Sequence, residues 1–457
     1  MKYLPILLLA FLISCGGQEK PTETADNSEV TADTVATVSS DWHNNSVIYE
    51  VNLRQMTEEG TFKSFQDQHL DRLEDLGVEI LWFMPIFPIG EEKRKGTMGS
   101  YYAVQDYQAT NPEHGTMEEF KALVDAAHAK GMKVILDWVA NHTAWNNVWL
   151  ADHPDWFTKD ENGNYVPPVA DWSDVMDLNY DNADMREEMI KSLEFWLKEA
   201  DIDGYRCDVA EMVPLDFWVD ARKRLDAIKP VFFLAEGEPA ELHEAFDMTY
   251  AWSFHHLMNE VSRGEKGASD VAAYWSDHQT KYAEDDYRMQ FITNHDENSW
   301  NGTAIERMGE NRKGFAVLTY TVPGMPLIYS GMEADMDKRL EFFEKDVIDW
   351  KDLPLNEFYR KLNLLKTNHA ALANGAAGGS LEFVDTGNEK VLAYFRSKGD
   401  KHVLTVINFS DQKVEIDISH EALNGQYFRW FIGSPSNMKG NLKGTLKANG
   451  HLMLVKM

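Results

Sequence analysis

Short apolar runs alternate with helical patterns along most of the 457-residue chain, and this alternation restricts the fold more than any other feature. Helical patterns, with apolar residues three and four positions apart, occupy residues 117–130, 184–200 and 304–320. Strands that alternate with helices form a parallel sheet, and eight such strands can close a (β/α)8 barrel. We therefore predict an α/β fold, a (β/α)8 TIM barrel, with strands in residues 47–53, 78–84, 133–139, 202–208, 231–236, 247–252, 290–294 and 325–330.

Three of these runs end at a carboxylate or are followed closely by one, namely Asp208, Glu236 and Asp296. Parallel barrel strands carry the residues at their carboxyl ends to one rim, so these side chains should meet. A glycosidase that retains anomeric configuration needs one carboxylate to attack the sugar and one carboxyl about 5 Å away to protonate the leaving oxygen. Asp208 and Glu236 are the natural pair. The competing interpretations are a structural pair of Arg206 with Asp208, and Glu238 in place of Glu236.

Several segments, in order, resemble glycoside hydrolase family 13, the α-amylase family, over roughly residues 41–457. Residues 137–142 (Asp-Trp-Val-Ala-Asn-His) are similar to the first signature region of that family, and residues 204–208 (Gly-Tyr-Arg-Cys-Asp) to the second. Glu236 and residues 294–296 (Asn-His-Asp) are similar to the third and fourth. Weaker similarities occur at residues 77–85, 177–179 and 324–333.

The resemblance implies a role for each matching residue. Asp208 is the expected nucleophile, and Arg206, two positions earlier on the same strand face, is expected to keep it ionised. Glu236 is the expected general acid and base, with a raised pKa, and Asp296 is expected to bind hydroxyls of the distorted sugar. The expected substrate-binding side chains are Tyr102, His142, Arg206 and His295, with Tyr101 as a rival to Tyr102.

No cofactor is predicted for the chemistry, and no metal ligand is assigned. Asn141 matches a position that often binds calcium in the family, but two departures weaken a calcium site. Glu211 and Met212 stand where many α-amylases have lysine and histidine, and residues 56–60 lack the closely spaced oxygen ligands that a hard cation prefers. A structural Ca²⁺ therefore stays an alternative and is not a prediction.

The chain is predicted to have further parts around the catalytic barrel of residues 41–371. Residues 142–181 are too long for an ordinary βα loop and resemble a short version of the inserted domain B of the family. Alternating apolar and polar residues after the barrel predict a C-terminal antiparallel β-sandwich domain over residues 372–457.

The N-terminus predicts export. The apolar stretch at residues 4–13 is too short to span a bilayer but suits a secretory signal. A small residue directly before Cys15 resembles the bacterial lipobox, so residues 1–14 are the predicted signal peptide and Cys15 the predicted lipidation site. The polar residues 15–40 cannot bury enough apolar surface to fold and are predicted to be a disordered tether. We expect an exported protein, lipid-anchored to a bacterial membrane on its periplasmic or cell-surface side.

The charge balance excludes one class of partner. The chain has 75 acidic and 44 basic residues and a net charge of −31, which repels nucleic-acid phosphates. Nucleic acid is therefore not an expected partner, and a membrane is expected only through the lipid anchor.

We predict a retaining hydrolase of α-1,4-glucosidic bonds in starch-derived glucans and maltooligosaccharides. The same residues serve neopullulanase-like or cyclomaltodextrinase-like enzymes, α-glucosidases and transglycosylases, which stay open as alternatives. A non-catalytic glycan-binding lipoprotein is the last alternative, and the intact Asp208, Glu236 and Asp296 argue against it. The short insertion favours maltodextrin-sized substrates over raw starch, and cyclomaltodextrins fit equally.

Overall fold

The computed structural model describes residues 41–457. The predicted signal peptide, the predicted lipidation site Cys15 and the predicted tether lie outside the described residues. Within residues 41–457, none of the helices combines the length and the apolar character that a bilayer crossing requires.

A closed barrel of eight parallel strands forms the larger part of the structure. The strands between residues 48 and 329 are β1 (Ile48–Val51), β2 (Ile80–Phe83), β3 (Lys133–Trp138), β4 (His142–Ala144), β5 (Val175–Asp177), β6 (Gly204–Cys207), β7 (Phe232–Ala235), β8 (Met248–Tyr250), β9 (Tyr287–Gln290) and β10 (Met325–Tyr329). All except β4 and β5 belong to the barrel, in the neighbour order β1-β10-β9-β8-β7-β6-β3-β2. The predicted (β/α)8 barrel is confirmed.

The barrel strands form where the sequence is apolar on both faces, because one face fills the barrel and the other packs under helices. Alternate side chains from opposite strands, such as Ile48, Ile135 and Phe232, form one buried cluster inside the barrel. Their neighbours, such as Tyr49 and Leu136, belong to the larger core outside it. This two-sided burial explains why the apolar runs predicted most strands.

The seventh barrel strand differs from its predicted position. The apolar run at residues 290–294 predicted a strand, but the strand is β9, which ends at Gln290. Two polar residues of β9 are buried because they have partners: Arg288 donates to the carbonyl oxygen of Tyr250, and Gln290 donates to that of Pro323 at 3.1 Å. Residues 291–294 continue past the strand and lead into the rim of the barrel.

Helices connect the barrel strands. They are α1 (Leu53–Met56), α2 (Phe62–Phe65), α3 (Asp71–Leu76), α4 (Met117–Ala129), α5 (Ala183–Ala200), α6 (Leu215–Asp226), α7 (Trp252–Arg263), α8 (Ala268–Lys281), α9 (Ala304–Met308), α10 (Arg312–Thr321) and α11 (Asn356–Asn368). α4 begins at a capping box in which Thr116 and Glu119 each bind the backbone N–H of the other. The helix predicted over residues 304–320 is interrupted at Gly309, whose φ of 54° ends α9.

The segment after β3 contains a small antiparallel ladder outside the barrel. In this ladder β4 pairs with β5, with His142 opposite Asp177. The segment is held to the barrel loops by aromatic packing, since Trp149 stacks on Tyr107 with ring centroids 4.9 Å apart. This places the start of β4 at the carboxyl rim of the barrel.

The C-terminal strands are β11 (Ser380–Phe383), β12 (Val391–Lys398), β13 (Lys401–Asn408), β14 (Val414–Arg429), β15 (Ser434–Leu446) and β16 (His451–Lys456). They form one antiparallel sheet in the order β11-β12-β13-β16-β14-β15, so the predicted antiparallel domain is confirmed. The two halves of the sheet share one core, to which Phe395, Leu404, Ile418 and Leu442 contribute. The sandwich-like core is thus built from a single folded sheet.

Phe409 joins the C-terminal sheet to the barrel by stacking on Phe315 of α10, with ring centroids 4.8 Å apart.

Candidate active site

The predicted site residues meet at the carboxyl end of the barrel. Asp208 and Glu236 directly follow β6 and β7, and Asp296 comes shortly after β9. A cavity of about 650 Å³ at this rim is lined by six of the predicted residues: Tyr102, His142, Asp208, Glu236, His295 and Asp296. Six side chains from five separate parts of the sequence therefore face the same space.

Arg206 connects the carboxylates beneath this cavity. Its Nη1 lies 2.8 Å from Asp137 Oδ1 and 2.9 Å from Asp208 Oδ1. Its Nη2 lies 2.8 Å from Glu236 Oε2, a charge contact whose angle is poor for a hydrogen bond. Nε donates to Tyr250 Oη at 3.1 Å. Arg206 has 0% exposed surface and does not line the cavity, so it positions carboxylates, whereas the sequence predicted a direct contact with the sugar.

The two carboxyl groups of the predicted pair are neighbours. Asp208 and Glu236 contact the two terminal nitrogens of one guanidinium, which brings their oxygen atoms close together. Retaining glycosidases hold their carboxyl groups about 5–5.5 Å apart, whereas inverting enzymes leave about 6.5–9.5 Å for a water molecule. The shared guanidinium keeps the two carboxyl groups within the range of separations that glycosidases use.

Val209, the residue after Asp208, has a strained backbone. Its φ of 36° and ψ of 47° place a β-branched residue in the left-handed region, a conformation that costs on the order of 1–3 kcal/mol. This conformation lets its backbone N–H donate to Glu236 Oε2 at 2.8 Å. The strained backbone at Val209 thus helps to fix the orientation of the Glu236 carboxyl group.

Burial raises the pKa of all three carboxyl groups, but their neighbours differ. For Glu236, burial is joined by the negative charge of Asp208 and opposed by Arg206. For Asp208, burial is opposed by both the charge and the hydrogen bond of Arg206. For Asp296, burial is opposed by the charge of His295. The negative charge of Asp208 favours a protonated, neutral Glu236 in the resting state. The hydrogen bond from the Arg206 guanidinium favours an ionised Asp208.

His295 lies in a buried chain of polar contacts. Its Nε2 is 2.7 Å from Tyr102 Oη and 3.2 Å from Asp296 Oδ2, and its Nδ1 pairs with Glu50. Burial alone lowers the pKa of His295, but the charges of Asp296 and Glu50 outweigh it and raise the pKa to about 9. His295 is therefore an imidazolium at neutral pH.

His142 behaves differently from His295. Its Nε2 lies 3.8 Å from Asp208 Oδ2, and its ring packs 5.4 Å from that of Trp172. Burial lowers the pKa of His142 to about 4, so the ring is neutral at pH 7. It can exchange hydrogen bonds with sugar hydroxyls without adding a charge beside Asp208.

The two rival residues lie away from the predicted centre. Tyr101 donates to Asn52 Oδ1 at 2.9 Å and does not line the cavity. Glu238 pairs with Arg288, and it too is absent from the cavity wall. The structure therefore favours Tyr102 and Glu236 over both.

Sequence reasoning missed Glu50 and the outer wall of the cavity. Glu50 is a fully buried charge in the middle of β1, and a glutamate within an apolar strand was a signal that could have identified it. The remaining wall includes Lys95, Trp172, Trp300 and Phe342. Their loops carry no pattern that predicts which residues converge.

The amide of Asn141 bears on the calcium alternative. Its Nδ2 lies 3.3 Å from His142 Nδ1, so the amide faces a ring nitrogen. Met212 lies in an exposed turn. Among the residues that the structure describes, no three His, Cys, Asp or Glu side chains are grouped to hold a metal ion. We derive no step through calcium.

A (β/α)8 barrel whose rim holds two adjacent carboxyl groups and a third carboxylate is typical of glycoside hydrolases. Residues 54–173 and 151–356 match the family described as "Alpha amylase, catalytic domain", and residues 381–448 match "Maltogenic Amylase, C-terminal domain". The chain belongs to the α-amylase family and is a glycosidase by class.

Relatives with known names agree with this family. The chain is similar to Alpha-amylase 3 of Dictyoglomus thermophilum, with 27% identity over 81% of this chain and 85% of that one. It is also similar to the Maltogenic alpha-amylase of Bacillus acidopullulyticus, with 28% identity over 78% of this chain, and it spans 64% of that relative's length. The crystal structure of an alpha-amylase from Lactobacillus plantarum aligns with a TM-score of 0.82 and 30% identity, covering 91% of this chain and 99% of that one.

Proposed function

We propose that the protein hydrolyses α-1,4-glucosidic bonds in maltodextrins, with retention, by a double displacement. Asp208 is the nucleophile, Glu236 the general acid and base, and Asp296 a stabilising carboxylate. The observation that carries this proposal is the contact of Asp208 and Glu236 with one guanidinium, that of Arg206. The names of the similar proteins, alpha-amylase and maltogenic alpha-amylase, support the α-1,4 linkage.

In the first step, an oxygen of Asp208 attacks the anomeric carbon and forms a covalent bond to the sugar. The glycosidic bond breaks at the same time, and Glu236 gives its proton to the leaving oxygen. Glu236 Oε2 is held by the N–H of Val209, whereas Oε1 has no protein hydrogen bond in the described chain and is available for this transfer.

In the second step, the now ionised Glu236 accepts a proton from water, and the water oxygen attacks the anomeric carbon. The bond to Asp208 breaks and releases its carboxylate, which restores the starting state. Two inversions at the same carbon give net retention.

Asp296 and His295 act on the sugar in the transition state of each step. The ring flattens and gains positive charge near the transition state, so a fixed carboxylate binds it more tightly than the ground state. His295 Nε2, 3.2 Å from Asp296 Oδ2, holds this carboxylate in place. The Tyr102 ring, which stacks on His295 with centroids 5.4 Å apart, offers a flat surface to the sugar.

Product analysis tests the proposed function. Soluble starch, maltoheptaose, pullulan and β-cyclodextrin are incubated with the protein and with Asp208→Asn, and products are separated by chromatography. We expect maltooligosaccharides from starch and maltoheptaose, and their loss in the variant. Panose from pullulan or opened β-cyclodextrin would indicate the neopullulanase-like or cyclomaltodextrinase-like alternative. No turnover of any of the four substrates would contradict an α-1,4-glucan hydrolase.

We also propose that the protein is exported and lipid-anchored through Cys15. The apolar residues 4–13 before a small residue and Cys15 support this proposal. Expression with a radiolabelled fatty acid in a bacterial host should label the protein in the membrane fraction. Cys15→Ser should abolish the label, and labelling that persists in this variant would rule out Cys15 as the anchor.

A further inference from the structure

We propose that the cleft is closed on its glycone side, the side that holds the part of the substrate ending at the non-reducing terminus. The enzyme then cuts near that end and releases short products of uniform length. The closure is residues 91–99, in the loop after β2, and Lys95 fastens it. This inference rests on the proposed hydrolase and specifies which bond of the glucan is cut.

The direction of the substrate follows from the positions of the acid and the nucleophile. Glu236 protonates the leaving oxygen, so the leaving part of the glucan lies on the side of β7. In the neighbour order of the barrel, β1 is diametrically opposite β7. The glycone, which ends at the non-reducing terminus of an α-1,4 chain, therefore extends toward the rim above β10, β1 and β2.

The closing loop is fixed on one side to the segment after β3. Lys95 Nζ lies 2.8 Å from Asp174 Oδ1 and donates to the carbonyl oxygen of Asp171 at 3.0 Å. Asp174 and Asp171 line the cavity together with Lys95 and Trp172. These contacts of Lys95 join the loop after β2 to the segment after β3 at the rim of the barrel.

The same loop is fixed on its other side to the loop after β10. The N–H of Thr97 donates to Glu344 Oε1 at 2.9 Å, and the N–H of Met98 donates to the carbonyl oxygen of Phe343 at 3.0 Å. The loop thus passes from the β3 side to the β10 side, across the part of the rim that lies opposite Glu236. The loop is therefore bound to its neighbours on both sides of the place where the glycone would lie.

Lys95 makes the ion pair that fixes the loop on this side, beside a hydrogen bond from the Glu91 N–H to Asn146 Oδ1 at 3.2 Å and the contact of Lys93 with the Trp145 ring. The Asp174 side chain is 7% exposed, and within residues 41–457 its ion-pair partner is Lys95. A largely buried carboxylate that loses its cation is strongly destabilised, so the segment that carries it would have to move toward water. The backbone hydrogen bonds to the β10 side would remain.

The closed end offers apolar faces to a short glycan. The Phe342 ring stacks on that of Tyr102 with centroids 6.1 Å apart, and the Trp300 ring lies 5.3 Å from that of Phe342. The cavity of about 650 Å³ falls in the usual range of small-ligand pockets, about 300–1,000 Å³, which an extended groove for a long chain would exceed. A few sugar units on the glycone side fill it.

A blocked substrate tests the closure. Maltoheptaose is compared with maltoheptaose whose non-reducing terminal glucose carries a cyclic acetal across two hydroxyls, a group that a closed end cannot admit. We expect the protein to hydrolyse the free substrate at least about tenfold faster than the blocked one, a difference of about 1.4 kcal/mol in activation free energy. Its first products from free maltoheptaose should have one length.

Variants of Lys95 test whether the preference for free over blocked maltoheptaose depends on the ion pair of Lys95 with Asp174. Lys95→Met keeps the length of the side chain but removes its charge, and should lower the ratio of the two rates and give mixed product lengths. Lys95→Arg keeps the charge and should retain the preference. Lys121→Met is the matched control, because Lys121 lies on α4 with its Nζ 3.6 Å from Glu199 Oε2 and does not line the cavity; it should behave as the unmodified protein.

Two results would overturn the closure. One is equal hydrolysis of free and blocked maltoheptaose by the unmodified protein, and the other is an unchanged preference in Lys95→Met. Failure to hydrolyse free maltoheptaose at all would instead contradict the proposed function on which the closure depends.

Discussion

Glu50 carries a carboxylate in the middle of β1, a strand with no exposed surface, and buried charges persist only when they are paired. Its partner is Nδ1 of His295, whose Nε2 contacts Tyr102 and Asp296. Removing one member of such a pair leaves an uncompensated charge in the interior. Glu50 therefore orients His295 and, together with Asp296, favours its charged form, although it does not line the cavity.

We expect Glu50→Gln to shift the pH dependence of activity. The pKa of His295 is raised to about 9, so the imidazolium is present below that pH and is lost as the pH rises through it. Without the charge of Glu50 this pKa falls, so the imidazolium should be lost at a lower pH. The measurement is an NMR titration of the His295 ring, beside a pH profile of kcat/KM on maltoheptaose.

Glu79→Gln provides the control for this experiment. Glu79 precedes β2 at the opposite end of the barrel, where it accepts a hydrogen bond from the N–H of Val47 at 3.0 Å. Its substitution should leave the profile of activity in place. An unchanged titration of the His295 ring in Glu50→Gln would show that Glu50 does not govern the protonation of His295.

At the scale of elements, the sequence predicted what depends on local pattern and missed what depends on long-range partners. Asp208 and Glu236 were predictable because each directly follows a buried strand. The position of β9 was not, because Arg288 and Gln290 are buried through contacts with Tyr250 and Pro323, which are distant in sequence. The closing loop was missed for the same reason, since its partners lie in the segments after β3 and β10.

The joint between α10 and the C-terminal sheet is a second long-range contact, and we expect Phe409→Ala to weaken it. Phe409 is 7% exposed and stacks on Phe315, so the substitution should lower the free energy of unfolding by about 3–5 kcal/mol through lost packing and a cavity. Denaturant unfolding measures the change. Phe428→Ala is the control, because Phe428 is 36% exposed, and it should cost less than about 1 kcal/mol. Equal losses in the two variants would contradict a packed joint at Phe409.

At the scale of the whole molecule, the barrel keeps its functional groups on one rim and its other surfaces for support. The segment after β3 and the loops after β2 and β10 all contribute to that rim, and the C-terminal sheet packs against α10. The fold is held by packing and by ion pairs between its own side chains.

We expect removal of divalent metal to leave the protein unchanged. Dialysis against EDTA should alter neither Tm in a thermal scan nor kcat/KM on maltoheptaose, because residues 41–457 contain no group of three His, Cys, Asp or Glu side chains that a metal would hold together. Added CaCl2 at matched ionic strength is the control for a specific effect. A fall in Tm with EDTA that calcium alone reverses would show a binding site that the side-chain arrangement does not indicate.

The contact of Arg206 with both Asp208 and Glu236 has a consequence for the electrostatics of the proposed cycle. When Asp208 bonds to the sugar it loses its negative charge, and in the same step Glu236 gains one by giving up its proton. The negative charge thus passes from Asp208, which contacts Nη1, to Glu236, which contacts Nη2. The sum of the charges around the Arg206 guanidinium stays constant. A planar, delocalised cation can follow this displacement without moving, so neither step requires the surrounding dipoles to reorganise.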